Sequence, residues 1–421
     1  MSYDLDVPEC LLGSLLAVEG VRNSMTILNG PTGCKYYPSS MSEDACSRDV
    51  VYNPYIYSNE FFIGQSRIPC THIDGNDLIM GTGGKVRRIA EIVESLKPDV
   101  IGMVNSPGAA LIGSKLDIRS NCSIPVITSE SPGYSDSFGK GFQDVIVKLL
   151  EVFAKGERHV RPMMVNLIGL SMYQLGWKDS IAELRSLLES CGIKVIAVVG
   201  VGWSVEDIAE SVNASVNVML FRNIGDRIAK WYGDNHSIPC AESPCGIPLG
   251  FDQTELWIKT VCDVLRCDSA PALKRIGEAR ARAAAEIKRF NLHTGLPSGC
   301  TFSVSGCGPM VYSVMTILHS YLGMIPVAVE TSDDSMDVEI SRYLLENDID
   351  VADDAFDVPA DIFFGSAPMI ASLTFRGIVG KGVNTEYPGM KSVQISEEPL
   401  LGIDGTMRLL DMTLNALEMT H

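Results

Sequence analysis

The sequence predicts an α/β protein built from three Rossmann-like, doubly wound domains with mainly parallel sheets. Three observations predict it. Short apolar runs rich in Val and Ile alternate with longer segments of helical periodicity along nearly the whole chain. That alternation is the signature of βαβ units, in which a crossover helix returns the chain to a parallel strand. The 421 residues suffice for two to four domains of roughly 100–200 residues each. Two polar, turn-rich stretches, "KGERHVRP" and "NLHTGLPSG", interrupt the rhythm and divide the chain into 1–157, 158–294 and 295–421.

The elements follow in order. "LLGSLLAVEGV" reads as a helix beginning just after Pro8, and "SMTIL" as a short buried strand. "DLIM" reads as a strand, followed by the glycine-rich helix start "GTGGKV". "GKVRRIAEIVESLKPDVIGMVNS" is helix, Pro98, strand; "IPVITSES" and "GKGFQDVIVKLLEVF" are the next strand and helix. In the middle, the strand "MMVNLIGL" precedes "KDSIAELRSLLESCG", whose apolar residues recur at helical spacing and which stops on Gly192. "KVIAVVG" is a strand. "SVEDIAESV" opens with Ser204 and places Glu206 and Asp207 in its first turn, a helix start. "VNVML" and "IGDRIAKWYGDN" complete a βαβαβ module. The basic helix "ALKRIGEARARAAAEIKRF" connects to the last domain, its charges forming a solvated face. There "TFSVSG", a helix from Met310 to Leu322, and "IPVAVE" make another βαβ unit. "ADIFFGS" and "KSVQIS" add strands, and "GTMRLLDMTLNALE" is a closing helix.

Composition narrows the function. The formal charge of −18 argues against a nucleic-acid or anionic-membrane surface, since both need clustered Lys and Arg. It permits a partner with a basic docking face. The start "MSYDLDVPEC" has no basic region before an apolar stretch and does not read as a secretory signal. Residues 301–329 carry no Asp, Glu, Lys or Arg, yet Gly306, Gly308, Pro309, Gly323 and Pro326 interrupt them. Strand, turn, helix and strand fit better than a membrane span. A cytoplasmic location is expected.

Several nucleotide and metal signatures are incomplete. "MGTGGKV" lacks both the first glycine and the final Ser or Thr of a P-loop, with Ile79 and Val86 in those places. Any ATP hydrolysis would belong to another chain. "SGCGPM" has Gly-x-Gly without a third glycine, so it reads as a tight strand-to-helix turn. "CAESPCG" holds Cys240 and Cys245 without a second pair at zinc spacing. The six histidines are scattered, and only His72 lies near another candidate site.

The twelve cysteines are many for such a chain, and most fit as buried small hydrophobes. Three stand apart. Cys10 sits at a helix start, Cys34 on the loop "NGPTGCKYYP" after a strand, and Cys70 on the loop "RIPCTHIDG". Exposed helix N-termini lower a thiol's pKa and favour the thiolate that binds iron. Iron–sulfur clusters take about four such ligands. Spacing by itself leaves cluster ligation and plain packing both open.

The Cys near a helix start, the glycine that follows, and the strand ending in "GPTGC" resemble the nitrogenase component 1 family. That family holds nitrogenase molybdenum–iron protein subunits, their cofactor-assembly scaffolds and dark-operative protochlorophyllide reductase. "IPCTHIDGNDLIMGTGGKV", "KPDVIGMVNSPGAALIGSKL", "IPVITSESPGYSDSFGKGF", "ADIFFGSAP" and "GIDGTMRLLDMTLNAL" continue the likeness in order along nearly the whole chain. The resemblance implies three Rossmann-like domains. It implies that Cys10 and Cys34, with Cys70 a possible third, ligate an iron–sulfur cluster at an interface between two subunits. Two cysteines from each of two chains would hold one [4Fe–4S] cluster in a homodimer or with a similar second subunit. It implies a separate P-loop ATPase reductase, with its own cluster, as electron donor to a small-molecule substrate held between the domains. The loops "NSPGAAL", "SGCGPM" and "GSAPM" are expected to face that cleft.

The departures are specific. Family members with a full cysteine set carry a third Cys in the loop that here reads "NSPGAALIG", with Ser106 and Pro107. Leu220 stands where the cofactor cysteine of true nitrogenase would lie, and "KSVQISEEPLLGIDGT" has no His. No nitrogenase-type cofactor and no nitrogen fixation are expected. Two alternatives remain: a metallocluster assembly scaffold or carrier, for which Cys46 and Cys70 would suit transient holding, and a non-redox small-molecule binder with inert cysteines.

Overall fold

A computed structural model describes residues 10–35, 38–39, 68–116, 122–130, 136–387 and 396–418. Its strands form three sheets. The first contains β1 (Ser24–Asn29), β2 (Val100–Asn105) and β3 (Val126–Ser129), in that order. The second contains β4 (Arg161–Ile168), β5 (Lys194–Val198), β6 (Ala214–Met219) and β7 (Cys240–Ala241), ordered β5-β4-β6-β7. The third contains β8 (Thr301–Gly306), β9 (Ile325–Thr331), β10 (Ala360–Ser366) and β11 (Val379–Glu386), ordered β11-β10-β8-β9. Every strand pairing is parallel. Parallel neighbours need crossovers, and helices supply them, so the apolar runs of β2 and β6 are covered on both faces. The expected α/β class is what the chain adopts.

The order of the second and third sheets has a consequence for function. The chain leaves β4 for β5 on one side, then returns past β4 to β6 on the other. It does the same at β8, going first to β9 and then to β10. Each reversal opens a crevice at the carboxyl ends of the two strands, β4/β6 and β8/β10, where α/β sheets bind ligands.

Most expected elements form. Ser204 caps the helix Val205–Glu210 through a reciprocal capping box with Asp207, accepting from its N–H at 3.2 Å and donating its own N–H at 2.9 Å. The helix Trp177–Ser190 stops before Gly192, whose φ of 77° only glycine adopts without strain. Residues 301–331 are strand, helix and strand, and no helix among the described residues is long and apolar enough to cross a membrane.

Two expectations change. "DLIM" is a short helix, Asp77–Met80, and not a strand. Asp74 folds the turn by accepting from the N–H groups of Asn76 and Asp77, while Ile79 and Met80 remain exposed. Apolar letters there do not mean burial. Conversely, the sequence pattern conceals β11, because Gly380 and Gly382 interrupt its apolar alternation. Gly382 is required: a Cβ there would lie 2.6 Å from Ile370 Cγ1. The expected strand "KSVQIS" falls, but for Ser396, outside the described residues.

The helices Cys10–Glu19 and Phe138–Phe153 pack at backbone distance. A Cβ on Gly13 would strike the carbonyl of Phe138, and one on Gly141 would strike the carbonyl of Cys10. Leu12, Leu16, Phe138 and Phe142 then join a core that continues through Val165 and Leu167 of β4 to Phe302 and Val304 of β8. The final helix, Gly402–Glu418, is tied to the middle sheet's helices. Ser180 Oγ accepts from Leu400 N at 3.0 Å, and Glu183 Oε1 accepts from Ile403 N at 3.0 Å.

Candidate functional site

Two of the three cysteines singled out in the sequence, Cys34 and Cys70, lie at one end of the first sheet. Beyond β1, residues 68–73 run parallel to it. Leu28 N–H donates to Pro69 O at 2.9 Å, Thr71 N–H to Leu28 O at 3.1 Å and Ile73 N–H to Gly30 O at 3.1 Å. This ladder seats Cys70 beside Leu28. Cys70 is buried with Leu11, Leu15, Leu28, Ile68 and Val104, and the half-buried Cys34 packs on the same cluster. Cys10 opens the helix that supplies Leu11 and Leu15; its N–H donates to Asp136 O at 3.1 Å. Cys10 and Cys70 are buried, Cys10 under the glycine-mediated helix contact and Cys70 under the added ladder, so Cys10 does not stand at the exposed helix N-terminus expected for it. His72 closes the loop, its Nδ1 2.8 Å from Thr32 Oγ1. Cys46 lies outside the described residues.

Below these cysteines runs a buried polar layer at the carboxyl ends of β1 and β2. Asn29 and Asn105 are register partners and both fully buried. Asn29 Nδ2 donates to Asn105 Oδ1 at 2.8 Å and to Ser114 Oγ at 2.9 Å, while Thr71 Oγ1 donates to Asn29 Oδ1 at 2.8 Å. Satisfied networks of this kind fix a unique geometry. They lock the GPTGC loop to the Cys70 segment. In "NSPGAAL", where a third family cysteine is lacking, Ser106 caps the helix Pro107–Leu111 by accepting from Ala109 N–H at 3.2 Å. Its hydroxyl is committed to the backbone. Among the described residues no three His, Cys, Asp or Glu side chains converge as a metal site. The thiol chemistry of Cys10, Cys34 and Cys70 suits iron, but one chain's described donors do not complete the four ligands of a cluster.

A second site, which the sequence reading locates only by its loops, is a cavity of about 470 Å³ between the helix Phe138–Phe153 and the second and third sheets. It opens at both chain reversals. Tyr173 and Gln174 follow β4, Arg222 and Asn223 follow β6, Cys307 follows β8 and Ser366 ends β10. Of the loops expected here, "SGCGPM" and "GSAPM" contribute and "NSPGAAL" does not. Leu220, by contrast, is buried in the core and offers no donor.

The cavity's chemistry centres on Glu386, the last residue of the concealed strand β11. Its carboxylate accepts from Cys307 N–H at 2.9 Å. Gly306 makes room, since a Cβ there would sit 2.7 Å from Glu386 Cγ. Asp333 is the neighbouring carboxylate, accepting from Asn223 Nδ2 at 3.0 Å and Gly308 N–H at 3.2 Å. A Cβ on Gly308 would come within 2.9 Å of Ser335 Oγ, whose hydroxyl bonds Asp333. The two glycines of "SGCGPM" therefore admit two carboxyl groups rather than a dinucleotide. Loss of water pushes the Glu386 carboxyl up to about 7, the Cys307 N–H opposes this, and the Asp333 charge adds to the rise. Burial, with Glu386 and Asp333 beside it, pushes the Cys307 thiol well up, so it stays protonated and is no nucleophile at neutral pH. No basic side chain pairs with Glu386 among the described residues. The site can thus hold a neutral acid that releases a proton near pH 7.

Comparison with known proteins agrees with this architecture. A profile of the family described as nitrogenase component 1 type oxidoreductase matches residues 10–418. One of the subunits of light-independent protochlorophyllide reductase from Prochlorococcus marinus (strain NATL2A) is 29% identical over 218 residues, covering 48% of this chain and 41% of the relative. Its counterpart in Roseiflexus sp. (strain RS-1) is 21% identical over 243 residues, covering 57% of this chain and 40% of the relative. The matches span about two-fifths of the length of these relatives. A solved chain described as nitrogenase Cp1 at pH 6.5 superposes with a TM-score of 0.76 at 16% identity, over 98% of this chain and 93% of that one. That likeness is one of fold.

Proposed function

This chain belongs to the nitrogenase component 1 type oxidoreductases, and from that premise we propose that it is the substrate-binding component of a nitrogenase-like reductase. Electrons come from a separate P-loop ATPase carrying its own iron–sulfur cluster. The chain works beside a second component 1-like subunit or a copy of itself. Cys10 and Cys34, with Cys70 on the same apolar patch as Cys34, would hold a cluster, a shared [4Fe–4S] group that supplies single electrons when bound. A second chain would contribute the remaining thiols.

What this chain's own residues do follows from the cavity. Its position at two chain reversals suits it to hold a small molecule. Reduction of an unsaturated bond takes up protons as well as electrons. Glu386, half protonated near pH 7, holds such a proton at the cavity wall. The Cys307 N–H and the space left by Gly306 fix where its carboxyl points. The observation that supports the reading is the presence, on one family chain, of Cys34 and Cys70 packed together at a sheet end and of a cavity with an acid that titrates near neutrality.

Electron paramagnetic resonance of the anaerobic, dithionite-reduced protein tests it. A reduced-cluster signal that disappears in Cys34→Ser while the fold persists supports the reading. An identical signal in Cys10→Ser and Cys34→Ser proteins would refute the ligand assignment.

A further inference from the structure

A second cavity, of about 490 Å³, lies at the carboxyl end of β5, against the turn between the helix Cys10–Glu19 and β1, where Val21 pairs with Trp203. Ile196, Ala197 and Val198 form its floor, and Trp177 and Trp203 flank it. Its charged residues are Arg22, Lys178, Arg185 and Asp207, three cations against one carboxylate. In a chain of net charge −18 such a local excess of positive charge is unexpected. Asp207 is already engaged: it pairs with Arg22 and accepts from Ser204 N–H at 2.9 Å.

One donor is left with unmet demand. Arg185 is partly buried, and loss of water lowers its pKa from the usual guanidinium value, with the Arg22 charge adding to the fall. It donates Nη1–H to Val195 O at 3.2 Å and makes no ion pair among the described residues, although Glu189 and Asp207 lie within electrostatic range. A partly buried guanidinium without an ion pair is costly, and a bound anion relieves it.

We propose that this cavity is a binding site for a small phosphate-bearing molecule, held by Arg185, Lys178 and Arg22. Three cations against the one lining carboxylate leave an excess of positive charge that favours a phosphomonoester, close to a dianion at pH 7. A planar guanidinium suits phosphate oxygens in paired hydrogen bonds. The volume exceeds what one phosphate fills and admits an ester with an organic group. The site is separate from the Glu386 cavity and does not depend on the reductase reading.

Isothermal titration calorimetry of the full chain at low salt, with AMP and with inorganic phosphate as probes, tests the proposal. Saturable binding of either probe, weakened about tenfold or more in Arg185→Gln, is expected. Lys178→Gln removes a second lining cation, so it should weaken binding several-fold. Tighter binding of AMP identifies an ester as the occupant, and equal binding identifies the phosphate group alone. Absence of binding of both probes at about 10 mM, or wild-type affinity in both variants, overturns the proposal.

Discussion

Replacing Glu386 by Gln removes one titrating group while keeping the acceptor for the Cys307 N–H. The carboxyl ionises near 4.5 when unfolded and near 7 in place. Between those values the folded chain holds a proton that the unfolded chain has lost, so this group's contribution to stability falls as pH rises through 7. At full effect the difference is about 3 kcal/mol. The side chain remains partly open to the cavity, and solvent reduces the expected size to roughly 1–2 kcal/mol. Urea denaturation of wild type and Glu386→Gln at pH 5 and pH 8 reads it directly. The two should be nearly equal at pH 5, and the variant more stable by that amount at pH 8. A gap that does not change with pH, or a variant less stable at pH 8, would refute the claim that Glu386 is a desolvated acid.

Other substitutions probe the supports of both sites. Gly306→Ala places a methyl against Glu386 Cγ, so the carboxyl should swing toward solvent and its pKa fall toward the ordinary range, detectable as a flatter pH dependence of stability. Gly141→Ala drives a methyl into the Cys10 carbonyl and to 2.9 Å from its Sγ; a loss of about 2–3 kcal/mol in chemical denaturation is expected, together with lower iron content. Ser204→Ala breaks the capping box of the helix Val205–Glu210 and should cost about 1 kcal/mol in the same assay without altering iron.

How much of this is legible in the sequence depends on range. The βαβ rhythm, the Ser204 cap and the Gly192 stop are local, and local patterns predict them. Cys10, Cys34 and Cys70 can be named because each follows a turn at an element's end. Their burial cannot, because it comes from contacts between Gly141 and Cys10 and between Leu28 and Pro69, far apart in the chain. Glu386 is invisible for a double reason. Its strand is interrupted by glycines, of which Gly382 exists to admit Ile370, and its pKa is set by Cys307 and Asp333 from other segments. The same holds for Arg185, whose missing partner is a property of the folded cavity. "DLIM" misleads because four apolar-rich residues carry no period that separates a buried strand from an exposed turn of helix.

The central claim is that Cys10 and Cys34 hold an iron–sulfur cluster shared with a second chain. Iron and acid-labile sulfide per chain, measured on protein purified without oxygen and again after Cys34→Ser, test it most directly. A brown protein with about two irons and two sulfides per chain is expected, with loss of both in the variant. A well-folded, colourless protein that takes up no iron even after anaerobic reconstitution would contradict the claim.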